Sequence, residues 1–431
     1  MSPPTALPTA FVYADLRGMV HLVGRLWAVS TRGREGASFE YEAEWLRHPE
    51  RFALEPALAP GPGAFHTATG RALFGAIGDS APDRWGRSLI SRGERHRAAA
   101  ESRQPRTLRE IDYLLGVSDI ARTGALRYKR HIDGPFLADG DDAVPPLIGL
   151  PRLLAAAEHV EADDETDDDL RVLLAPGSSL GGARPKASVR DRDGHLAIAK
   201  FPSRTDDINV VRWEAVALEL ARRAGIPVVT CRVEEVVERD VLLVRRFDRM
   251  MATPDRHGAV EQRVPFLSAM SMLDAADRES HSYLEIADAL RRYGADTARE
   301  LADLWRRVVF NVLVSNLDDH LRNHGFLYAG ANGWRLSPAY DLNPVPVDIK
   351  PRFLTTTIAA DEDASASIEL ALAVSRDFGV REKEARTVVR DVAGAVQQWR
   401  HVASGFRLTT TECDRMASAF EHEDAEAARR R

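Results

Sequence analysis

Apolar residues recur at helical spacing in one long stretch of the chain. Leu301, Leu304, Trp305, Val308, Val309, Val312 and Leu313 fall at i, i+3, i+4, i+7, i+8, i+11 and i+12. That wide stripe predicts a buried helix. Between about 10 and 60 the period is two, in Phe11-Val-Tyr, in Val20 to Trp27 and in Ser38-Phe-Glu-Tyr-Glu; strands are expected there. Pro and Gly cluster at 56–63 and mark a loop, and 68–130 reads as mainly helical. Within it Asp79-Ser-Ala-Pro-Asp-Arg-Trp-Gly is a helix-start signal. Gly, Asp and Pro at 134–150 suggest a boundary. Beyond it the pattern predicts a short helix at 151–159 and strands at about 187–190, 196–201, 229–236 and 241–246. A helix at 209–224 carries Val210, Trp213, Ala217, Leu220 and Ala221 on one face and ends at Gly225-Ile-Pro227. From Phe266 onward the chain is mostly helical, with a hairpin around Gly330-Ala-Asn-Gly333, helices over 365–421 and a frayed end.

A chain of 431 residues has room for two or three domains. Its 44% hydrophobic and 29% charged residues are ordinary for a soluble protein. Two cysteines, Cys231 and Cys413, are too few for a disulfide framework or a Cys-based zinc site, so a reducing cytoplasm is expected. The start lacks a signal-peptide pattern, and no apolar run has the length of a membrane span. The net charge of −7 is matched by the seven acids of 161–169, a solvated linker or helix start. The remainder is near neutral, with no global nucleic-acid footprint.

Candidate chemistry concentrates after the apolar stripe. Asn316-Leu-Asp318-Asp319-His320-Leu-Arg-Asn323 is a polar turn, and Ser337-Pro-Ala-Tyr340-Asp341 brings a further acid. Phosphoryl transfer needs a carboxylate at the attacking hydroxyl, with an amide and a second carboxylate on Mg²⁺. Asp318 suits the first role. Asn323 and Asp341 suit the second as hard oxygen donors, and His320 could orient the turn. Upstream, Gly177-Ser178-Ser179-Leu-Gly181-Gly182-Ala183-Arg184-Pro185-Lys186 is a small-residue loop able to approach polyphosphate, though not a Walker A sequence. Lys200 ends an apolar strand, and Glu214 follows on the 209–224 helix, as in the strand-lysine and helix-glutamate ion pair of kinases. Leu242-Leu-Val-Arg245-Arg246-Phe247 is a crossover strand whose backbone could meet an adenine. This order of parts is that of a two-lobed kinase, without the usual Gly-x-Gly-x-x-Gly, His-Arg-Asp or Asp-Phe-Gly strings.

These strings resemble the HipA family, serine/threonine-protein kinase toxins of bacterial type II toxin–antitoxin systems. The resemblance lies in Ser178 to Lys186, Ile198-Ala-Lys200-Phe-Pro, Arg246-Phe-Asp-Arg249, Asn316 to Asn323 and Ser337 to Asp341, with 76–89 similar to that family's N-terminal part. It runs from about 10 to 400. It implies an α+β fold with a two-lobed protein-kinase-like core: a small β-rich lobe over 146–265, a larger helical lobe over 266–431, and an N-terminal α/β subdomain over 1–145. It implies ATP and Mg²⁺ as cofactors. Gly181, Gly182, Ala183, Arg184, Pro185 and Lys186 would bind ATP phosphates, with Lys200 on the α- and β-phosphates. Arg245, Arg246 and Phe247 would line the adenine hinge. Asp318 would accept the proton, and His320 to Asn323 with Tyr340 and Asp341 would complete the nucleotide–metal site. Autophosphorylation would fall on Ser179 or Ser178, where a phosphate adds about two negative charges beside the ATP phosphates. The expected partners are a protein substrate such as an aminoacyl-tRNA synthetase and a small DNA-binding antitoxin, with DNA met only through that complex. Arg245 stands where some relatives carry an acid, and Arg184-Pro185 interrupts the loop.

Two other classes compete. A kinase-fold module could serve chiefly to hold an antitoxin and co-repress transcription. A metal hydrolase could use His320 and His324, spaced i and i+4, with Asp318, Asp319 and Asp341. In the kinase reading Asp319 and His324 are bystanders.

Overall fold

The computed structural model describes residues 7–31, 33–137, 144–174, 182–251, 261–277, 279–359 and 363–430. Ser178, Ser179 and Gly181 lie outside them. The chain forms two compact units, unit 1 over Met1–Arg204 and Glu235–Leu267, and unit 2 over Thr205–Glu234 and Ser268–Arg431.

Unit 1 opens with the expected alternating strands, β1 (Ala10–Leu16), β2 (Met19–Thr31) and β3 (Arg34–Tyr41). With β4 (Ala64–His66) and β5 (Leu126–Lys129) they form an antiparallel sheet in the order β4-β3-β2-β1-β5. β5 falls inside the stretch read as mainly helical. Its alternating Leu126-Arg-Tyr-Lys pairs with β1, where Val12 faces Tyr128, and partners so distant in sequence leave no local signal. Helix α1 (Arg84–Ala100) starts where the Asp-Ser-Pro signal predicts, capped by the Asp83 side chain, which accepts from the Gly86 N–H at 2.9 Å. Helices α2 (Glu110–Gly116), α3 (Leu150–Ala162) and α4 (Asp167–Leu174) follow. The acidic run begins α4 with three aspartates in its first turn, a favourable place for negative charge. Its earlier members Asp163 and Glu165 pair with Arg92 of α1. Strands β6 (Lys186–Arg190), β7 (Leu196–Lys200) and β8 (Arg239–Arg245) lie antiparallel in that order. One buried cluster joins Trp85 and Leu89 of α1 to Leu153, Leu154 and Leu173, and to Val189, Ala199 and Leu243 of these strands.

Unit 2 is mostly helical. It includes α5 (Val210–Arg223), which falls within the 146–265 stretch expected as the small lobe; the Trp213 ring centroid lies 6.1 Å from that of Trp399 and 5.8 Å from that of Phe420. Helix α6 (Tyr283–Tyr293) begins with a Ser282–Glu285 capping box. Helix α7 (Thr297–Val314) carries the apolar stripe, with Leu304, Trp305, Val308, Val309, Val312 and Leu313 fully buried. Strands β9 (Gly325–Tyr328) and β10 (Trp334–Leu336) make the expected hairpin. Helices α8 (Glu382–Val396), α9 (Trp399–Gly405) and α10 (Thr410–Phe420) follow. The end read as frayed is a further helix, α11 (Glu423–Arg430), held by buried Ala425 and Ala428. Among the described residues no helix is long and apolar enough to cross a membrane.

Candidate active site

The proposed nucleotide groups of unit 1 are built on β6 and β7. Gly182 and Ala183 are exposed, while Pro185 and Lys186 are buried. Gly182 has φ +102°, and a Cβ there would stand 2.9 Å from the Lys186 ammonium, so the chain needs glycine at this position. Lys186 and Lys200 face each other across the β6–β7 pair. Cross-strand partners share a sheet face, and two like charges there repel. Lys186 is engaged by Asp83, with Nζ 2.7 Å from Oδ2 and both side chains almost fully buried. The family resemblance assigns Lys186 to ATP phosphates. Its ammonium lies in this ion pair, which no local sequence signal shows because Asp83 is 103 residues away.

The hinge strand leads into a buried ionic knot. Arg245 pairs with Asp193. Arg246 is 1% exposed and gives Nε to Asp248 at 2.6 Å and Nη1 to the Ala121 carbonyl at 2.8 Å. Its backbone N–H bonds the Leu196 carbonyl at 3.0 Å and so serves the sheet. Asp248 also accepts from the Gly124 N–H at 2.7 Å and from Arg249 at 2.8 Å. Burial alone would raise its pKa, but the charges of Arg246 and Arg249 outweigh burial and hold it well below the usual carboxylate range. The Phe247 ring centroid lies 6.0 Å from that of Phe266.

The turn expected to carry the catalytic acid belongs to unit 2. Helix α7 ends at Ser315, a buried non-glycine residue at φ +51°, and Asn316 N–H bonds back to the Asn311 carbonyl at 2.9 Å. The two neighbouring acids then part. The Asp318 side chain is 71% exposed. Its Oδ1 accepts from the Thr355 hydroxyl at 3.3 Å and lies 4.0 Å from the Lys350 ammonium. Asp319 is 2% exposed and accepts from the Tyr283 hydroxyl at 2.5 Å and Asn311 Nδ2 at 2.9 Å, with His324 Nε2 at 2.7 Å. Its carbonyl takes the Thr356 hydroxyl at 2.6 Å. Burial opposes its charge, but His324 and the hydrogen bonds from His324 and Tyr283 keep the Asp319 carboxyl below its ordinary pKa. Asp319 and His324, read as bystanders, form the hub that holds the turn. Glu214 lies buried on α5.

Asn323 is 6% exposed. Its Nδ2 donates to the Asp318 carbonyl at 3.3 Å, and its Oδ1 is buried without a hydrogen-bond partner. His320 Nδ1 and Asn343 Oδ1 are orphaned in the same way. Buried polar atoms left unpaired call for an explanation, and a bound cation or ligand supplies one. Tyr340 donates its hydroxyl to the Arg322 carbonyl at 2.6 Å. Asp341 adopts φ +57°, the sparsely populated left-handed region that tends to occur at functional sites, and accepts from Asn343 Nδ2 at 3.2 Å. The Asn343 N–H bonds Asn316 Oδ1 at 3.0 Å, and Val345 N–H bonds the Ser315 carbonyl at 3.0 Å, which ties the Asp341 segment to the turn. An amide oxygen and a carboxylate are hard donors of the kind Mg²⁺ takes. Among the described residues, no group of three or more His, Cys, Asp and Glu side chains could hold a metal. The hydrolase arrangement therefore fails on geometry: Asp319 and His324 bind each other inside, while Asp318 faces out.

The family model described as HipA-like C-terminal domain matches residues 178–399, just over half of the chain. A protein named "Putative kinase Y4mE" from Sinorhizobium fredii is 28% identical over 184 residues, covering 38% of this chain and 41% of that protein. A "Putative kinase" from Haemophilus influenzae is 24% identical over 213 residues, covering 44% of this chain and 61% of its own length. The chain thus spans less than two thirds of each of these relatives. A solved structure of the Shewanella oneidensis MR-1 toxin–antitoxin complex of HipA, HipB and its operator DNA has a chain that superposes at a TM-score of 0.67. The identity is 16%, with 97% of this chain and 96% of that one covered, and the α+β kinase-like fold is common to both.

Proposed function

The chain belongs to the HipA-like C-terminal domain family, and from that premise we propose that it is a Mg-ATP-dependent protein serine/threonine kinase acting as the toxin of a toxin–antitoxin pair. One observation carries the reading. An exposed carboxylate, Asp318, stands on a turn locked by a buried hub, and the backbone carbonyl of the same residue accepts from an amide, Asn323, whose own oxygen has no partner. That is a positioned acceptor beside an unpaired hard donor, which phosphoryl transfer uses.

In this mechanism Asp318 accepts the proton of a substrate serine or threonine hydroxyl. The hydroxyl oxygen forms its bond to the γ-phosphorus while the bond to the bridging β-oxygen breaks, and ADP leaves. Asn323 and Asp341 would hold Mg²⁺, which when bound would neutralise charge on the phosphate oxygens. Lys200 neutralises the α- and β-phosphates from the end of β7, and Glu214 is the acid that the kinase pattern pairs with such a lysine. Gly182, Ala183, Arg184 and Pro185 line the triphosphate with Gly181. Lys186 takes part through its place in the chain, since its ammonium is engaged by Asp83. Arg245 to Phe247 border the adenine. Tyr340 and His320 brace the metal side. Autophosphorylation on Ser179 or Ser178 would add charge beside the phosphates and switch the enzyme off. HipB and operator DNA accompany HipA in the Shewanella complex, which supports a small DNA-binding antitoxin as partner here, with DNA met through it. The family resemblance supports a translation protein such as an aminoacyl-tRNA synthetase as target.

The test is incubation of the purified chain with Mg-ATP, read by intact mass on itself and on added protein substrates, beside Asp318→Asn. Wild type should gain phosphate. Asp318→Asn should bind ATP equally and transfer at least about 10³-fold more slowly. Nucleotide binding by wild type without any transfer would sink the kinase reading in favour of a binding module.

A further inference from the structure

The segment 79–89 has no part in the chemistry above, yet its first helical residues touch the nucleotide loop. Asp83 Oδ1 caps α1 through the Gly86 N–H, while Oδ2 holds the Lys186 ammonium at 2.7 Å. Trp85 gives its indole Nε1–H to the Lys186 carbonyl at 2.9 Å, and its backbone N–H approaches the Gly182 carbonyl at 3.4 Å. Three contacts from one helix start therefore reach the two ends of Gly182–Lys186. Trp85 and Leu89 share a buried cluster with β6 and β7, so the support is continuous with the core beneath the loop. On the far side the Phe201 N–H bonds the Pro185 carbonyl at 3.0 Å.

Resting on the kinase reading, we propose that Asp83 and Trp85 are positioning residues for ATP: they latch the downstream end of the phosphate loop to the N-terminal part of the chain. A cap alone would leave one carboxylate oxygen for water. Here that oxygen is buried against an ammonium whose stem is the base of the loop. The pair also has an electrostatic consequence. Lys186 faces Lys200 across two strands, and Asp83 compensates one of these charges, so Lys200 holds its place without a like charge pressing on it. The latch thus acts on the loop backbone through Gly182 and Lys186, and on the strand lysine through charge.

Asp83→Asn separates the latch from the cap, because asparagine caps helices as well as aspartate does but cannot neutralise Lys186. Trp85→Phe keeps an aromatic ring and removes the indole donor. The full chain is assayed for Mg-ATP binding, for KM and kcat, for melting temperature and for amide hydrogen exchange at 182–187. Asp83→Asn should raise the Kd and KM for ATP about tenfold and speed exchange at 182–187, with kcat at saturating ATP changed less than about threefold. Trp85→Phe should do the same more weakly. Unchanged ATP affinity and unchanged exchange would overturn the proposal. So would tighter ATP binding by Asp83→Asn, which would make Asp83 a rival of the phosphates for Lys186. The core variant Leu89→Ala is the control: if it weakens ATP binding as much as Asp83→Asn at equal loss of stability, the role is structural and the proposal falls. If wild type binds no ATP, the kinase reading fails on its own, and the exchange of 182–187 still reports on the latch.

Discussion

Two buried aspartates sit beside proposed functional positions, and they are held in opposite ways. Asp248 follows the hinge residues in unit 1, and its side-chain partners are the arginines Arg246 and Arg249. Asp319 follows Asp318 in unit 2, and its partners are a phenol, an amide and an imidazole. The first knot is mainly ionic, so removing the acid strands two positive charges. The second is a hydrogen-bond hub in which one negative charge is shared among mostly neutral donors. Rigidity near a site can thus be reached by charge pairing or by a donor network, and the two should fail differently.

The largest effect is expected at the ionic knot. Asp248→Ala leaves Arg246 and Arg249 buried without their counter-charge, and breaking a buried pair from one side costs about 3–5 kcal/mol. Denaturant unfolding should show that loss; a loss under about 1 kcal/mol, within the range of ordinary surface changes, would erase the distinction between the two nodes. Asp319→Asn is milder. Tyr283, Asn311 and His324 all reach the one oxygen Oδ2, and an asparagine oxygen there keeps an acceptor but not its charge, so the loss should be about 1–3 kcal/mol. Phosphate transfer should fall with it while ATP affinity holds, because Asp319 sets the turn that carries Asp318. Equal losses of transfer and of ATP binding would argue against that division.

The sequence made the elements that carry the proposed residues legible and left their supports hidden. Helix α7, the turn after it, β7 ending at Lys200 and the β9–β10 hairpin all follow from local period, caps and turn residues. Hidden supports have partners remote in the chain: Asp83 with Lys186, Arg246 with the 121–122 carbonyls, and Tyr283 with Asp319. No periodicity reports such contacts. The Asp79–Gly86 helix start was visible as a cap, but not as a latch. Asp319 shows a different limit. The sequence marks it only as a neighbour of Asp318, and packing reveals that it is the buried hub.

Acid separates the two units further. In unit 2, His422 Nε2 donates to the Leu313 carbonyl of α7 at 3.2 Å, while Nδ1 accepts from the Ala425 N–H at 3.3 Å. Burial first, and then the charge of Arg352, push this imidazole down to about 4 from 6.5. The unfolded chain therefore binds the proton at higher pH than the folded one. The sign is fixed: the contribution is whole above about 6.5 and is lost as pH falls from there toward about 4. Partial exposure limits it to about 2 kcal/mol. Both aspartates have depressed folded values, so their contributions persist until pH falls below the ordinary carboxylate range. Thermal unfolding between pH 7 and pH 5 should weaken unit 2 first, and His422→Gln should flatten that slope. A slope untouched by His422→Gln would assign it elsewhere.

The smallest effect tests how far the hub alone positions Asp318. Thr355 donates its hydroxyl to Asp318 Oδ1 at 3.3 Å and to the Leu317 carbonyl at 3.1 Å, and its N–H bonds that same carbonyl at 3.0 Å. Thr355→Val keeps the shape and the backbone bond and removes only the hydroxyl. The site is exposed, so the cost in stability should be about 0.5–1 kcal/mol at most. If the buried hub sets the turn, kcat should fall only a few-fold, about the factor expected for one weak hydrogen bond, with KM for ATP unchanged. A fall approaching that of Asp318→Asn would shift the weight of positioning from the buried hub to the exposed face of the turn. The donor network around Asp319 would then stabilise the fold without aiming the acceptor.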